Sequence, residues 1–347
     1  MTRIAWILLA AATVTLGLGA VLLVSQTGPD RGDEEIVIGF SVDSLVVERW
    51  IRDRDGFIAA ARSLGASIIY RNALESAEQQ VADLRELHRQ GVDVLVVIPY
   101  DSRALSEEIN RIAADGVPVI SYDRLILNAD IAAYVSFENV RVGELMAQGV
   151  TERLDRGNVV IVNGGSRDNN SALLNRGFLN VLEPLRGEDG VAIVQQFYPR
   201  DWEPALFTED LEAFLDTGVP VDAIIAANDQ FADAIIEILV RRRLAGEVIV
   251  VGQDADLVAV QRLVQGIQHR TIYKPVPDLA TAAAEIAFSL ASGQAVRSDR
   301  VVDNGFHQVP FIAIEPIPVE ADTIDSTVVA DGYHRAEDVY AVLDRQD

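Results

Sequence analysis

The chain has 347 residues, 49% hydrophobic and 24% charged, a globular composition long enough for two domains of ordinary size. Its 53 acidic and 29 basic residues give a net charge of −24, which argues against a nucleic-acid partner and leaves a neutral small ligand admissible. Cysteine is absent, excluding disulfides, thiolate metal sites, a cysteine nucleophile and lipid attachment through an N-terminal cysteine.

The first predicted element is the apolar run from Ile4 to Val24, behind Arg3. It is longer than the core of a signal peptide, about as long as a membrane span, and no clear A-x-A site follows it. Residues 1–30 are expected to direct export, as a cleaved signal peptide in preference to a retained membrane anchor. The rest of the chain is then expected in the periplasm or otherwise outside the cytoplasm. A polar linker, "TGPDRGDEE", leads into alternating strand-length and helix-length patterns.

The first half predicts strands at 36–40, 67–71, 92–99, 117–122 and 132–137. Between them lie helical patterns such as 76–90, where Ala77, Val81, Leu84 and Leu87 share one face. The second half repeats the scheme with strands at 158–165, 191–197, 222–229, 247–254 and 270–274. Near-continuous apolar strands alternating with helices predict parallel sheets covered on both faces. The expected fold class is α/β, with two doubly wound, Rossmann-like domains.

Polar side chains cluster after these strands. Asp43, Tyr100 and Asp101, and Asp123 with Arg124 follow strands of the first half; Arg167 to Asn170, Asn228 with Asp229, and Asp254 follow strands of the second. Open parallel sheets bind ligands at the carboxyl ends of their strands, so the recurrence predicts a cleft shared by two facing domains. Asp, Asn and Arg offer several donors or acceptors in fixed geometry, suited to a ligand rich in hydroxyls. Trp50 in "ERW" and Trp202 in "RDWEP" lie beside charges; each is either a core anchor or a flat wall for a sugar ring.

Enzymatic signatures are missing. No G-x-G-x-x-G follows the first strand, and there is no P-loop, G-x-S-x-G or H-E-x-x-H. His88, His269, His307 and His334 are scattered without ligand spacing. Paired carboxylates are expected by chance among 53 acids, so they carry little weight for glycoside hydrolysis.

The stretches "ERWIRDRDGF", "GVDVLVVIPYDS", "SYDRLILNADI", "YVSFENVRVGEL", "GGSRDNNSALLNRGF", "AANDQFADAI", "VGQDADLVAVQR" and "TIYKPVPDLATAAAEIA" together form a specific pattern. It resembles the periplasmic sugar-binding proteins of ABC transporters, with the type I two-lobed periplasmic binding protein fold, and most closely their D-xylose-binding members. The likeness runs from about Glu35 to about Glu337. It implies that Arg49, Asp123 and Arg124 bind sugar oxygens from the first lobe while Trp50 packs on the ring. From the second lobe it implies hydroxyl contacts by Asp168, Asn170, Asn228 and Asp254, with Trp202 on the opposite ring face. Lys274 of "YKP" would complete the set at a lobe crossing. Arg167, where a small apolar pair is more usual, and the "RDWEP" loop depart from the pattern.

The resemblance further implies crossings near 138–142, 273–277 and 305–309. The first lobe would combine 35–140 with 277–306, and the second 141–275 with 308–347. The implied function is hinge closure over a monosaccharide, D-xylose foremost, for delivery to an ABC permease by a monomer with no cofactor, metal or covalent chemistry. A membrane-anchored sugar-sensing ectodomain acting through a signalling partner is the alternative. A repressor of the same fold is set aside, because a DNA-reading helix pair would occupy the region where this chain is apolar. One oddity stands out: Lys274 is the only lysine, the other 28 of the 29 basic residues being arginine. A compact ammonium suits acceptors arranged around a point, such as a hydroxyl flanked by Asp254 or Asp123.

Overall fold

The computed structural model describes residues 35–46, 49–187 and 189–343; the apolar run expected to direct export lies outside them. Among these residues no helix is long and apolar enough to cross a membrane. The strands in chain order are β1 (Val37–Val42), β2 (Ser67–Asn72), β3 (Val94–Val97), β4 (Val119–Tyr122), β5 (Ala133–Phe137), β6 (Gly157–Val162), β7 (Val191–Phe197), β8 (Ala223–Ala226), β9 (Ile249–Val251), β10 (Thr271–Tyr273), β11 (Val301–Asp303), β12 (Gln308–Ile314) and β13 (Ile317–Val319). The helices are α1 (Arg49–Ser63), α2 (Ala77–Arg89), α3 (Ser106–Ala114), α4 (Asn139–Thr151), α5 (Asn169–Leu182), α6 (Thr208–Leu215), α7 (Asp229–Arg241), α8 (Leu257–Gln265), α9 (Val276–Ala291) and α10 (Ala336–Tyr340).

Burial on both faces explains the apolar strand sequences: β3, β8 and β9 read "VLVV", "AIIA" and "IVV" and are buried along their whole length. The first sheet has the order β11-β12-β5-β4-β3-β1-β2 and the second β7-β6-β8-β9. In the first, β1 pairs in parallel with both β2 and β3, with Val37 opposite Ser67 and Ile38 opposite Val94. In the second, β6 stands in the same relation to β7 and β8. Each half is therefore wound outward from its first strand, which places a topological switch point at the carboxyl end of β1 and of β6.

The chain leaves the first sheet after β5 and enters α4, which packs on α5 of the second half. These two helices touch through their backbones. A Cβ on Gly143 would stand 2.2 Å from the Leu174 carbonyl oxygen, and one on Gly177 would stand 2.2 Å from that of Val140. After β10 the chain returns, and α9 lies along α1 on the first sheet.

The C-terminal expectation needs correction. Residues 308–314 do not belong to the second half: they form β12, parallel to β5, with Phe311 opposite Tyr134. The stacking of those two rings, centroids 4.8 Å apart, shows what draws the strand there. The third crossing therefore falls at 315–316, between β12 and β13, rather than at 305–309. Nor are all strands parallel. β11 and β12 form an antiparallel hairpin across the four-residue loop 304–307, in which Gly305 has φ 86°. β13 runs antiparallel to β10. The remaining C-terminal segment buries Ile324, Val328, Tyr333 and Val339 against Val260, Leu263 and Tyr273.

Candidate sugar site

One pocket between the two halves is lined by Arg49, Trp50, Asp123, Arg124, Asp168, Asn170, Trp202, Asn228, Gln253, Asp254 and Lys274. All ten residues singled out in the sequence meet there. Gln253 was missed, although it stands beside Asp254 in the same strand-end run. All but Trp202, which lies in the loop after β7, are delivered by an element terminus. Arg49 and Trp50 open α1, Asp123 and Arg124 follow β4, and Gln253 and Asp254 follow β9. Asp168 is the N-cap of α5 and accepts from the Asn170 amide at 2.9 Å; Asn228 caps α7 by accepting from the Phe231 amide, also at 2.9 Å. Lys274 follows β10 at the crossing back to α9.

The charged groups are paired with one another, some within a half and some across the cleft. Arg49 forks onto Asp53 one turn later, its Nε donating to Oδ2 at 3.0 Å, and its Nη2 reaches Asp123 Oδ2 at 2.9 Å. Arg124 bridges the halves, with Nη1 on Asp43 Oδ2 at 2.7 Å and Nε on Asp168 Oδ2 at 2.9 Å. Lys274 Nζ sits 3.2 Å from Asp254 Oδ1, which also lies 3.9 Å from Arg49 Nη1. Asn170 Nδ2 donates to Asp123 Oδ1 and to its carbonyl oxygen, each at 3.2 Å.

Three cations thus face five carboxylates (Asp43, Asp53, Asp123, Asp168 and Asp254), all buried. Burial pushes the Asp123 carboxyl up, but Arg49, Lys274 and Arg124 outweigh it and hold it below the ordinary carboxylate value. Burial wins at Asp43, which is raised to about 6 despite Arg124, and it also raises Asp168. Among the described residues no group of three or more His, Asp or Glu is arranged to hold a metal ion.

The two tryptophans serve the core and the pocket at once. Trp50 is buried in the first core and carries the guanidinium of Arg49 at 4.6 Å and that of Arg124 at 5.3 Å from its ring centroid. Trp202 tilts against Phe231 at 5.8 Å and donates from Nε1 to Asp168 Oδ2 at 3.2 Å. Its ring runs so close to the β6–α5 loop that a Cβ on Gly164 would meet Cη2 at 2.3 Å.

At the mouth, the halves meet through groups outside the pocket. Tyr100 donates from its hydroxyl to Asp201 Oδ2 at 2.9 Å, and Arg167 Nη1 bonds both that oxygen, at 3.0 Å, and the Tyr100 hydroxyl. The Ser102 amide and hydroxyl donate to the Arg167 carbonyl at 3.1 and 2.8 Å. At the opposite rim, Arg52 Nη1 donates to the Tyr333 carbonyl at 2.9 Å. The halves are closed on one another.

A family model described as the periplasmic binding protein domain matches residues 38–295. The D-xylose-binding periplasmic protein of Escherichia coli is 37% identical over 307 residues, covering 88% of this chain and 93% of that one. Its namesake from Haemophilus influenzae is 36% identical over 331 residues, covering 95% and 98%. Among solved structures, a carbohydrate transporter solute binding protein from Chloroflexus aurantiacus in complex with D-glucose superposes with a TM-score of 0.81 at 25% identity, covering 88% and 98% of the two chains.

Proposed function

The chain belongs to the periplasmic binding protein family, and on that premise we propose that it is an extracytoplasmic solute-binding protein that captures a monosaccharide, D-xylose before others, and delivers it to an ABC permease. The observation that carries this reading is the make-up of the pocket. Three carboxylates and three cations line it, Asp123 with Arg49, Asp168 with Arg124 and Asp254 with Lys274, so the charges are already matched and a phosphorylated or carboxylated sugar would find no unpaired cation. A neutral polyol can enter that array, because each hydroxyl donates to a carboxylate and accepts from a guanidinium, ammonium or amide. Trp50 and Trp202, one from each half, offer apolar faces to the C–H surfaces of the sugar ring.

Near full-length relatives at 37% and 36% identity are named for D-xylose, whereas the glucose-bound structure is 25% identical; this favours the pentose. In the proposed cycle, sugar held by one half recruits the other. Arg124, Arg49 and Asn170 then complete bonds that exist only when the halves meet, and the closed form is the species offered to the permease. Relatives of this kind are named as binding proteins, and the proposed capture involves no bond-making step. The test is titration calorimetry with xylose, glucose, ribose, arabinose and galactose. Xylose is expected to bind tightest; failure to bind any aldose overturns the proposal.

A further inference from the structure

Behind the pocket, and not lining it, Asp229 is the first residue of α7 and is buried. Its carboxylate faces the turn that carries Gln253 and Asp254. That turn is backbone-strained: Asp254 has φ 99° and Ala255 φ 54°, successive left-handed residues with no glycine between them. Neighbouring groups must hold such a conformation in place.

Asp229 ties the turn at both ends. Its amide donates to the Gln253 carbonyl at 2.9 Å, and its Oδ2 accepts from the Asp256 amide at 3.1 Å. The same oxygen accepts from the Thr271 hydroxyl at 2.7 Å, and Thr271 Oγ1 in turn accepts from the Ala255 amide at 3.1 Å. On the far side Oδ1 accepts from Gln268 Nε2 at 2.8 Å. Among the described residues no basic side chain pairs with Asp229, so what it supplies is acceptors rather than a counter-charge.

We propose that Asp229, acting with Thr271, is a positioning residue for ligand binding: it fixes the strained 253–256 turn so that Asp254 meets Lys274 and the sugar at the correct height. This rests on the sugar-binding reading above. The arrangement also says how the role can be separated from charge. Gln268 Oε1 is buried without a hydrogen-bond partner, so the Gln268 amide can reverse and accept from an amide placed at Oδ1. Asparagine at 229 would then keep its own carbonyl on Thr271 and the Asp256 amide.

The test is xylose calorimetry on the full chain, with melting curves run beside it. Asp229→Ala is expected to weaken binding at least tenfold, and Asp229→Asn to restore affinity to within about threefold of wild type. Thr271→Val, which removes the bridging hydroxyl with little change of shape, is expected to weaken binding about tenfold and keeps the question answerable if Asp229→Ala does not fold. Wild-type affinity in Asp229→Ala or Thr271→Val overturns the inference. So does an Asp229→Asn protein as weak as the alanine variant, because the charge would then be what matters. A wild-type protein that binds none of the five aldoses removes the sugar reading and this inference together, whereas normal wild-type binding with unaffected variants removes this inference alone.

Discussion

Replacing Lys274 by arginine tests the pocket geometry most directly, because it preserves charge and changes only shape. Nζ lies 3.2 Å from Asp254 Oδ1 and 5.8 Å from the Phe137 ring centroid, and the side chain is buried. At that separation the gross attraction is about 5 kcal/mol for an effective dielectric constant near 20, most of it offset by desolvation. Arginine would keep the attraction but adds atoms beside Arg49, whose Nη1 is already 3.9 Å from the same oxygen. The added guanidinium must displace Arg49 or enter the volume left for the sugar. Overpacking of this kind costs about 1–3 kcal/mol; about 2 kcal/mol corresponds to roughly thirtyfold weaker binding. Lys274→Met, in contrast, strips Asp254 of its nearest cation, and breaking a buried pair costs about 3–5 kcal/mol. Xylose calorimetry with a parallel melting curve reads both effects. Affinity within twofold of wild type for Lys274→Arg would refute the reasoning and make the single lysine an accident of composition.

Trp202→Ala removes one wall of the pocket and the Nε1 bond to Asp168, and at least tenfold weaker sugar binding is expected; normal affinity would take Trp202 out of the site. Arg167→Ala removes the guanidinium that bonds both Tyr100 and Asp201 at the cleft mouth, leaving only their direct hydrogen bond. The lost, partly exposed contact is worth about 1 kcal/mol, so sugar release should accelerate roughly fivefold with the ranking of sugars unchanged. An unaltered release rate in stopped-flow would count against a latch. The buried acids also set a pH dependence. Burial raises Asp43 to about 6 and Asp229 to about 7 from 3.8. The folded protein therefore holds protons that the unfolded chain has released, and this stabilisation is complete below about pH 4 and lost as the pH rises through about 6 to 7. Tm is expected to climb from pH 8 to pH 5 and to do so less steeply in Asp229→Asn; a Tm that falls over this interval contradicts the assignment.

Local sequence was enough to locate the ten central strands, because an apolar run of four to eight residues bounded by polar loops is a short-range signal. It also placed Asp123, Asp168, Asn228 and Asp254 at strand ends, where a parallel sheet presents them to a ligand. Their gathering with Arg49, Trp50 and Lys274 was implied by the family pattern rather than by periodicity, since residues 49 and 274 are far apart in the chain. The strand at 308–314 went unread for a different reason. Its partner is β5, some 175 residues earlier, and a partly exposed strand has no strong pattern of its own, although Asn304-Gly305, at the start of the loop before it, was a turn signal.

What the amino-acid order determined by itself was therefore the alternation of elements, the absence of cysteine chemistry and the stock of polar side chains at strand ends. Tertiary structure alone decided which carboxylate each cation faces, and that Arg167 spans the cleft mouth while Asp229 stands behind the Asp254 turn. Pairing energies of buried charges depend on separations of a few ångströms between residues distant in the chain, and no local pattern encodes them. Lys274 illustrates the division. Its singularity is visible in the sequence, but only the folded chain sets its ammonium against Asp254 at the place where the two halves close.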